Sequence, residues 1–173
     1  MRNRHPLRAY ALSHTGIILA LALTMQGCGF QLRGSQSLTT AHISSLSLHS
    51  TTADDLAREV KSQLQLAGVA VNTGADYTLS LANEIYDRAV LSVSPQTGKA
   101  EEFQLTMTAR ISLARAGNAD LISNELISVS HDYLFDEDAL LGKASEENAL
   151  KANLRRQAAA DIIRRVHAKT KAN

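Results

Sequence analysis

The sequence predicts an α+β fold, a two-layer sandwich in which a mixed, mostly antiparallel sheet of about four strands carries two helices on one face. Three long stretches with alternating apolar and polar residues follow one another between residues 77 and 133. Two stretches with helical spacing of apolar residues flank them. Each helix has one apolar stripe and the sheet has one apolar face, so the two layers can bury these surfaces against each other.

The first part of the domain predicts a strand, a helix and a second short strand. Residues 41–48 alternate moderately and predict the strand. Hydroxyl and acidic side chains that can cap a helix come next: Thr51, Thr52, Asp54 and Asp55. The apolar stripe of this helix is Leu56, Val60 and Leu64, and Gly68 ends it. Residues 69–71 predict the second short strand.

The middle of the chain predicts three long strands in a meander. In residues 77–93, one face is apolar: Tyr77, Leu79, Leu81, Ile85, Ala89, Leu91 and Val93. The other face carries Thr78, Ser80, Glu84, Arg88 and Ser92. A turn at 94–98 leads to a strand at 103–113, and a turn at 117–118 leads to a strand at 121–133. We expect an irregularity in this third strand near Asn124.

The last part predicts an acidic loop at 136–144 and a final helix capped by Ser145, Glu146 and Glu147. Its apolar face is Leu150, Leu154, Ala158, Ile162 and Val166. Its cations are Lys151, Arg155, Arg156, Arg164 and Arg165. We interpret them as a solvated helix face, and contact with anionic lipid or a partner is the alternative.

The first 27 residues have the parts of a secretory signal. Arg2, Arg4 and Arg8 precede a short apolar run at 16–23, and Gly27 stands before Cys28, the single cysteine. A lipoprotein cleavage site is commonly Leu-Ala-Gly-Cys, from which Met25 and Gln26 depart. The alternatives are a buried or membrane helix for the run, and a free thiol at Cys28.

This leader predicts three regions: a cleaved lipoprotein signal peptide at 1–27, a lipidated tether at 28–40, and a single α/β domain at 41–173. We expect N-acyl and S-diacylglycerol groups on Cys28 and no other cofactor. The chain has 18 Lys and Arg, three of them in the leader, so 15 remain against 17 Asp and Glu. A slightly acidic mature domain without tryptophan argues against nucleic-acid binding.

Motifs for catalysis are nearly absent from the sequence. It lacks a Gly-x-Ser-x-Gly elbow, a His-Glu-x-x-His zinc motif and a phosphate-binding glycine loop. His131 and Asp132 form a lone His-Asp pair, which leaves a lipid-anchored hydrolase as a minor hypothesis. The other mature-domain histidines lack the spacing of metal ligands: His42, His49 and His167. We therefore expect no enzyme and no metal site.

Basic residues are expected to converge at one end of the meander. The turn at 95–98 and the exit of the third strand near Tyr133 lie at the same end, which brings Lys99 and Lys143 together, and Arg88 lies on a strand running towards them. Two lysines can bind phosphate as point charges. The alternative is ordinary exposed lysines, neutralised by Asp136, Glu137 and Asp138.

The run Cys28-Gly29-Phe30-Gln31-Leu32-Arg33-Gly34 resembles the start of mature LptE-family lipoproteins, which assemble lipopolysaccharide. Glu102-Phe103-Gln104 at the start of a long strand, and a polar helix after the loop with Lys143, are also similar. The resemblance implies a non-enzymatic lipoprotein on the periplasmic side of the outer membrane. It also implies a plug in an LptD β-barrel that assists barrel assembly and lipopolysaccharide insertion.

The resemblance further implies that basic residues at this loop end contact lipopolysaccharide. Lys143 matches best, whereas Gln96 stands where relatives can carry Arg. The polar sheet face would suit a barrel lumen, which is itself polar; it is formed by Thr78, Ser80, Gln104, Thr106, Thr108, Arg110 and Ser112. The alternative function is a lipoprotein subunit of another envelope lipid-transport system, which would co-purify with an inner-membrane transporter.

Overall fold

The computed structural model describes residues 43–118, 120–134 and 143–171, with side chains from residue 145 in the last range. Within these ranges lie five strands and two helices. The strands are β1 (Ser45–Ser50), β2 (Ala70–Val71), β3 (Tyr77–Val93), β4 (Ala100–Arg115) and β5 (Ile122–Leu134). The helices are α1 (Asp54–Leu66) and α2 (Lys143–Lys171). The expected signal peptide, Cys28 and tether lie outside the described residues.

The strands form one open sheet in the order β2-β1-β3-β4-β5. β1 pairs in parallel with both β2 and β3, whereas β3-β4 and β4-β5 are antiparallel. The predicted α+β sandwich with a three-strand meander is thus confirmed, and the two-residue β2 brings the strand count to five. β1 begins at Ser45, later than the predicted start of the first strand.

The core lies between the helices and one face of the sheet. Leu56, Val60 and Leu64 of α1 pack into the same cluster as Leu154 and Ile162 of α2. The sheet contributes alternate residues: Leu46, Leu79, Leu81, Leu105, Met107, Ala109, Ile111, Leu113 and Ile127. We call this the helix-side face of the sheet, and the opposite one the open face. The alternation of β4 agrees with the prediction at every position from Phe103 to Leu113.

The alternation of β3 changes at a β-bulge. Ala82 pairs with Arg110 and Ile85 with Thr108, so Asn83 and Glu84 together stand opposite one residue of β4. Asn83 has a left-handed φ of 56°, a conformation that Asn tolerates better than most residues. The extra residue reverses which side chains face the helices as far as Val90, after which the register with β4 shifts again.

The predicted faces of β3 were therefore wrong from Glu84 to Val90, whereas Ser92 lies on the open face as predicted. Ile85 and Ala89 pair with Thr108 and Gln104, which places them on the open face. Glu84 and Arg88, predicted to be on the polar face, lie on the helix side. The irregularity expected near Asn124 in β5 is confirmed, because Asn124 has a φ of 49° and the register with β4 shifts beside it.

Both helix starts differ from the predicted caps. Ala53 is the N-cap residue of α1 and supplies no side-chain hydrogen bond. Thr52, expected to cap the helix, instead accepts the Asn83 N–H at 2.8 Å. α2 begins at Lys143, two residues before the predicted cap, and the rest of the predicted acidic loop lies outside the described residues.

Candidate binding surface

The β3-β4 turn forms one end of the meander. Its backbone closes through two hydrogen bonds, from the Ser94 N–H to the Lys99 carbonyl at 2.7 Å and from the Gly98 N–H to the Ser94 carbonyl at 2.8 Å. Gly98 has a φ of 70°, which favours glycine at this position. The register of β5 ends at the pair Glu102-Leu134, so the β5 exit lies at the same end as this turn. We call this the hairpin end.

An aromatic and cationic group lies on the helix-side face near the hairpin end. The rings of Phe103 and Tyr133, on neighbouring strands, stack with centroids 5.9 Å apart. The Arg88 guanidinium lies 5.0 Å from the Phe103 centroid, a cation-π distance. This position for Arg88 results from the bulge, because without it residue 88 would lie on the open face.

Two residues near the start of α2 extend this group. Lys151 pairs with Glu147 at 2.7 Å, and its ammonium lies 5.4 Å from the Tyr86 ring centroid. The hydrogen bond from Lys151 lowers the pKa of Glu147 below its usual value, and Arg88 adds a smaller effect in the same direction. Arg88 is therefore close enough to α2 to influence one of its carboxylates.

Glu84 joins the bulge to both helices. Its side chain is only 7% exposed and accepts hydrogen bonds from Arg155 Nε at 2.8 Å and the Tyr86 hydroxyl at 2.7 Å. It also accepts the Leu56 N–H at 3.0 Å, which satisfies a donor in the first turn of α1. Burial, followed by the hydrogen bond to Glu84, raises the pKa of Tyr86 well above its ordinary value.

The β4 part of the open face is lined by polar side chains, as predicted, whereas Ile85 of β3 and Leu126 of β5 are exposed apolar residues on it. Its β4 residues are Gln104, Thr106, Thr108, Arg110 and Ser112, and β5 adds Ser128, Ser130 and Asp132 in register. Gln104 donates to Asp132 at 2.8 Å, and Arg110 donates to the Asn124 carbonyl at 3.1 Å. The face therefore combines cross-strand hydrogen bonds with hydroxyl groups that water or a partner can reach.

The residues predicted to bind phosphate occupy different settings. Lys99 is exposed in the β3-β4 turn. Lys143 is the first residue of α2, and its side chain lies outside the described part of the chain. Arg88 points to the helix side and stacks on Phe103. Lys99 and Arg88 thus share the hairpin end of β3 and β4.

The cations of α2 are less uniformly solvated than predicted. Arg156 and Arg164 are exposed. Arg155 instead reaches Glu84 and Asp55, and Arg165 pairs with Glu125 of β5 and Asp161. Two of the five predicted surface cations thus connect α2 to the sheet through ion pairs, and Lys151 contacts the Tyr86 ring.

Sequence reasoning missed Glu84 as a central polar residue. The available signal was Asn83, since Asn is among the few residues that adopt a left-handed conformation within a strand. Phe103 and Tyr133 could be paired only after the β4-β5 register was known.

The His131-Asp132 pair cannot act as a catalytic dyad in this arrangement. His131 lies opposite Leu105 on the helix side, whereas Asp132 lies opposite Gln104 on the open face. Neighbouring residues of a strand point to opposite faces, which separates the two side chains. In the described ranges, no group of three or more His, Cys, Asp or Glu residues could hold a metal ion. A membrane-crossing helix is likewise not found in this part of the chain.

The chain is similar in sequence to proteins of one family. The family model LptE, described as lipopolysaccharide-assembly, matches residues 38–166. The LPS-assembly lipoprotein LptE of Pectobacterium atrosepticum is 28% identical over 156 residues, covering 87% of this chain and 83% of that protein.

Two solved structures share the fold. The rare lipoprotein B of Shewanella oneidensis is 31% identical with a TM-score of 0.64, covering 75% of this chain and 97% of that one. Lipoprotein B of Nitrosomonas europaea is 25% identical with a TM-score of 0.61, covering 83% of this chain and 94% of that one. Because the family model spans most of the chain, the protein belongs to the LptE family of lipopolysaccharide-assembly proteins.

Proposed function

We propose that this protein is a non-enzymatic lipoprotein of the outer membrane that forms a complex with an LptD-type β-barrel. In this complex it is a plug in the barrel, assists barrel assembly and helps to insert lipopolysaccharide into the outer leaflet. The family match over residues 38–166 is the observation that carries the proposal. The hydroxyl-rich open face supports it, because the lumen of a large outer-membrane barrel is polar.

The proposed anchor is lipid on Cys28, which becomes the first residue after cleavage of residues 1–27. Residues 28–40 then serve as the tether of the domain at 41–173, on the periplasmic side of the membrane. Several acyl chains on one residue give a stable anchor, since each buried methylene contributes about 0.8 kcal/mol. Cys28→Ala should abolish palmitate labelling in cells, and continued labelling of this variant would contradict the anchor.

The proposed lipopolysaccharide contact is at the hairpin end, through Lys99, Lys143 and Arg88. Lysines and arginines bind phosphate through charge-assisted hydrogen bonds. Lys99 is exposed in a closed turn, and the apolar side chains of β3 beside it are also exposed. A phosphorylated amphiphile needs both cationic and apolar contacts, and this end provides both.

Purification of the intact lipoprotein from detergent-solubilised envelopes tests the function. We expect an LptD-type barrel to co-purify in near-stoichiometric amount and to survive a salt wash, because a plug contact buries a large surface. Recovery of an inner-membrane transporter instead would identify the alternative, a subunit of another lipid-transport system. Cys28→Ala serves as the control for contacts that depend only on sharing a membrane.

A further inference from the structure

The second half of β3 has one edge that the described structure leaves open. On the side opposite β4, β1 pairs only with Thr78–Leu81. The Thr51 N–H then bonds to the Leu81 carbonyl and the Glu84 N–H to the Thr52 carbonyl. From Ile85 to Val93, no backbone group of the described residues pairs with this edge. A nine-residue stretch of strand therefore has donors and acceptors directed away from the sheet.

Exposed apolar side chains are concentrated on the same stretch. Ile85, Val90, Leu91 and Val93 are 57%, 53%, 46% and 56% exposed. Soluble proteins usually protect such edges with lysine, proline or a covering element. Between Ile85 and Val93 there is neither lysine nor proline, and the only charged residues are Asp87 and Arg88. An edge with these properties is a template for strand addition.

The exposed side chains lie on both faces of the sheet. Ile85 pairs with Thr108 on the open face, whereas Val90 pairs with Phe103 on the helix side. A lipid layer or a flat protein wall would cover one face only. A strand added to the edge carries side chains that alternate between faces, so it can cover both and also satisfy the backbone.

We propose that an extended segment of the barrel partner, outside the closed wall of the barrel, pairs as a β-strand with the free edge of β3 between Ile85 and Val93 and extends the sheet in line with β1. This inference rests on the proposed function, because it names the surface by which that complex is held.

A second copy of this chain fits the edge less well. Two copies of β3 could pair in an antiparallel manner if a two-fold axis perpendicular to the sheet related them. In such a pair, the residues that stand directly opposite each other lie on the same face of the sheet. Asp87 and Arg88 are neighbours on opposite faces, so no such register sets the carboxylate of one copy against the guanidinium of the other. The edge is therefore not electrostatically complementary to itself.

The test uses the full-length lipidated protein with one lysine introduced on each face, as Ile85→Lys and Val90→Lys. Each variant should lower the amount of barrel protein that co-purifies by about tenfold, because each places an ammonium group where an apolar contact would form. Leu66→Lys is the matched control, since Leu66 is 86% exposed on α1 and lies away from this edge. Circular dichroism and urea unfolding of the purified variants check that both retain the fold.

Hydrogen exchange of the wild-type complex tests the backbone pairing directly. Amides of Ile85–Val93 that point away from β4 should exchange about tenfold or more slowly in the complex than in the free protein. A polar contact made only through side chains would leave these rates unchanged.

The outcomes separate the two proposals. If wild type recovers no barrel, the proposed function fails and this inference fails with it. If wild type recovers the barrel but both lysine variants do so equally, or if only one face is sensitive, the strand pairing is overturned while the function stands. A concentration-dependent dimer of the purified chain that Val90→Lys dissociates would identify a second copy as the occupant and would also overturn it.

Discussion

The two halves of β3 differ in environment although they belong to one strand. Residues Thr78–Leu81 lie between β1 and β4, and Leu79 and Leu81 are fully buried beneath the helices. Residues Ile85–Val93 have β4 on one side, and four apolar side chains there are about half exposed. The bulge at Asn83 and Glu84 is the boundary. The first half thus belongs to the core, whereas much of the second half is exposed.

The sharpest contrast is expected between the same substitution in the two halves. Leu81→Ala should lower the free energy of unfolding by about 3 kcal/mol, since it leaves a cavity in a close-packed core. Leu91→Ala should change it by no more than about 0.5 kcal/mol, because that side chain already contacts water. Urea unfolding of both variants measures the difference. Equal losses would show that the second half also belongs to the core.

At the boundary, Glu84 is expected to contribute to the stability of the fold. Glu84→Gln should destabilise the protein by about 2 kcal/mol, because it removes the more buried of the two carboxylates that pair with Arg155 while preserving side-chain volume. Glu147→Gln is the matched control; it removes a carboxylate from an exposed pair with Lys151 and should cost about 0.3 kcal/mol. Thermal unfolding compares the two. Similarly small losses of stability in both variants would mean that the contacts of Glu84 with α1 and α2 do not stabilise the packing of the helices on the sheet.

The left-handed residue at the boundary gives a smaller effect. Asn83→Val should cost about 1–2 kcal/mol, since a β-branched residue is strained at a φ of 56°. Asn83→Gly should be nearly neutral, because glycine adopts this conformation without a steric penalty. Chemical denaturation of both variants checks this order. A Val variant as stable as the Gly variant would indicate that the bulge moves or disappears at little cost.

The boundary also marks where sequence reasoning succeeded and failed. The faces of β4 were predicted correctly because its alternation is uninterrupted from Phe103 to Leu113. The faces of β3 were correct up to Ala82 and wrong from Glu84 to Val90, because one inserted residue reverses the side chains that follow it until the register shifts again after Val90. In β5, the expected irregularity at Asn124 had a visible signal, since the apolar positions change parity between Ile122 and Ile127. In β3, apolar residues occur at both odd and even positions after Asn83, so the sequence showed no change of parity there.

The candidate site was also predicted only in part. The meander predicted correctly that the turn carrying Lys99 and the exit of β5 share one end, because that depends on strand direction alone. Arg88 required the register, since its face is set by the bulge five residues earlier. The contacts of Glu84 with Arg155 and the α1 backbone join residues far apart in sequence, and no local pattern reports them. Directions of strands were thus easier to predict than orientations of single side chains.

Charge reversal at the hairpin end should hardly change stability. The double variant Lys99→Glu, Lys143→Glu should unfold within about 0.5 kcal/mol of wild type, because Lys99 is in an exposed turn and an acid at the first residue of α2 suits the helix dipole. Its affinity for lipopolysaccharide should nevertheless fall by about 1 kcal/mol for each lost phosphate contact. The difference from wild type should shrink as salt screens the charges.

Lys61→Glu, an exposed lysine on α1, controls for the change in net charge. Equilibrium binding at low and high ionic strength separates a local contact from general attraction. If Lys61→Glu weakens binding as much per charge as the double variant, the attraction comes from the whole domain and the hairpin end is not a phosphate site. If only the double variant binds weakly, the β3-β4 turn and the start of α2 form the ligand-contacting end, and binding there is separate from the stability that the first half of β3 provides.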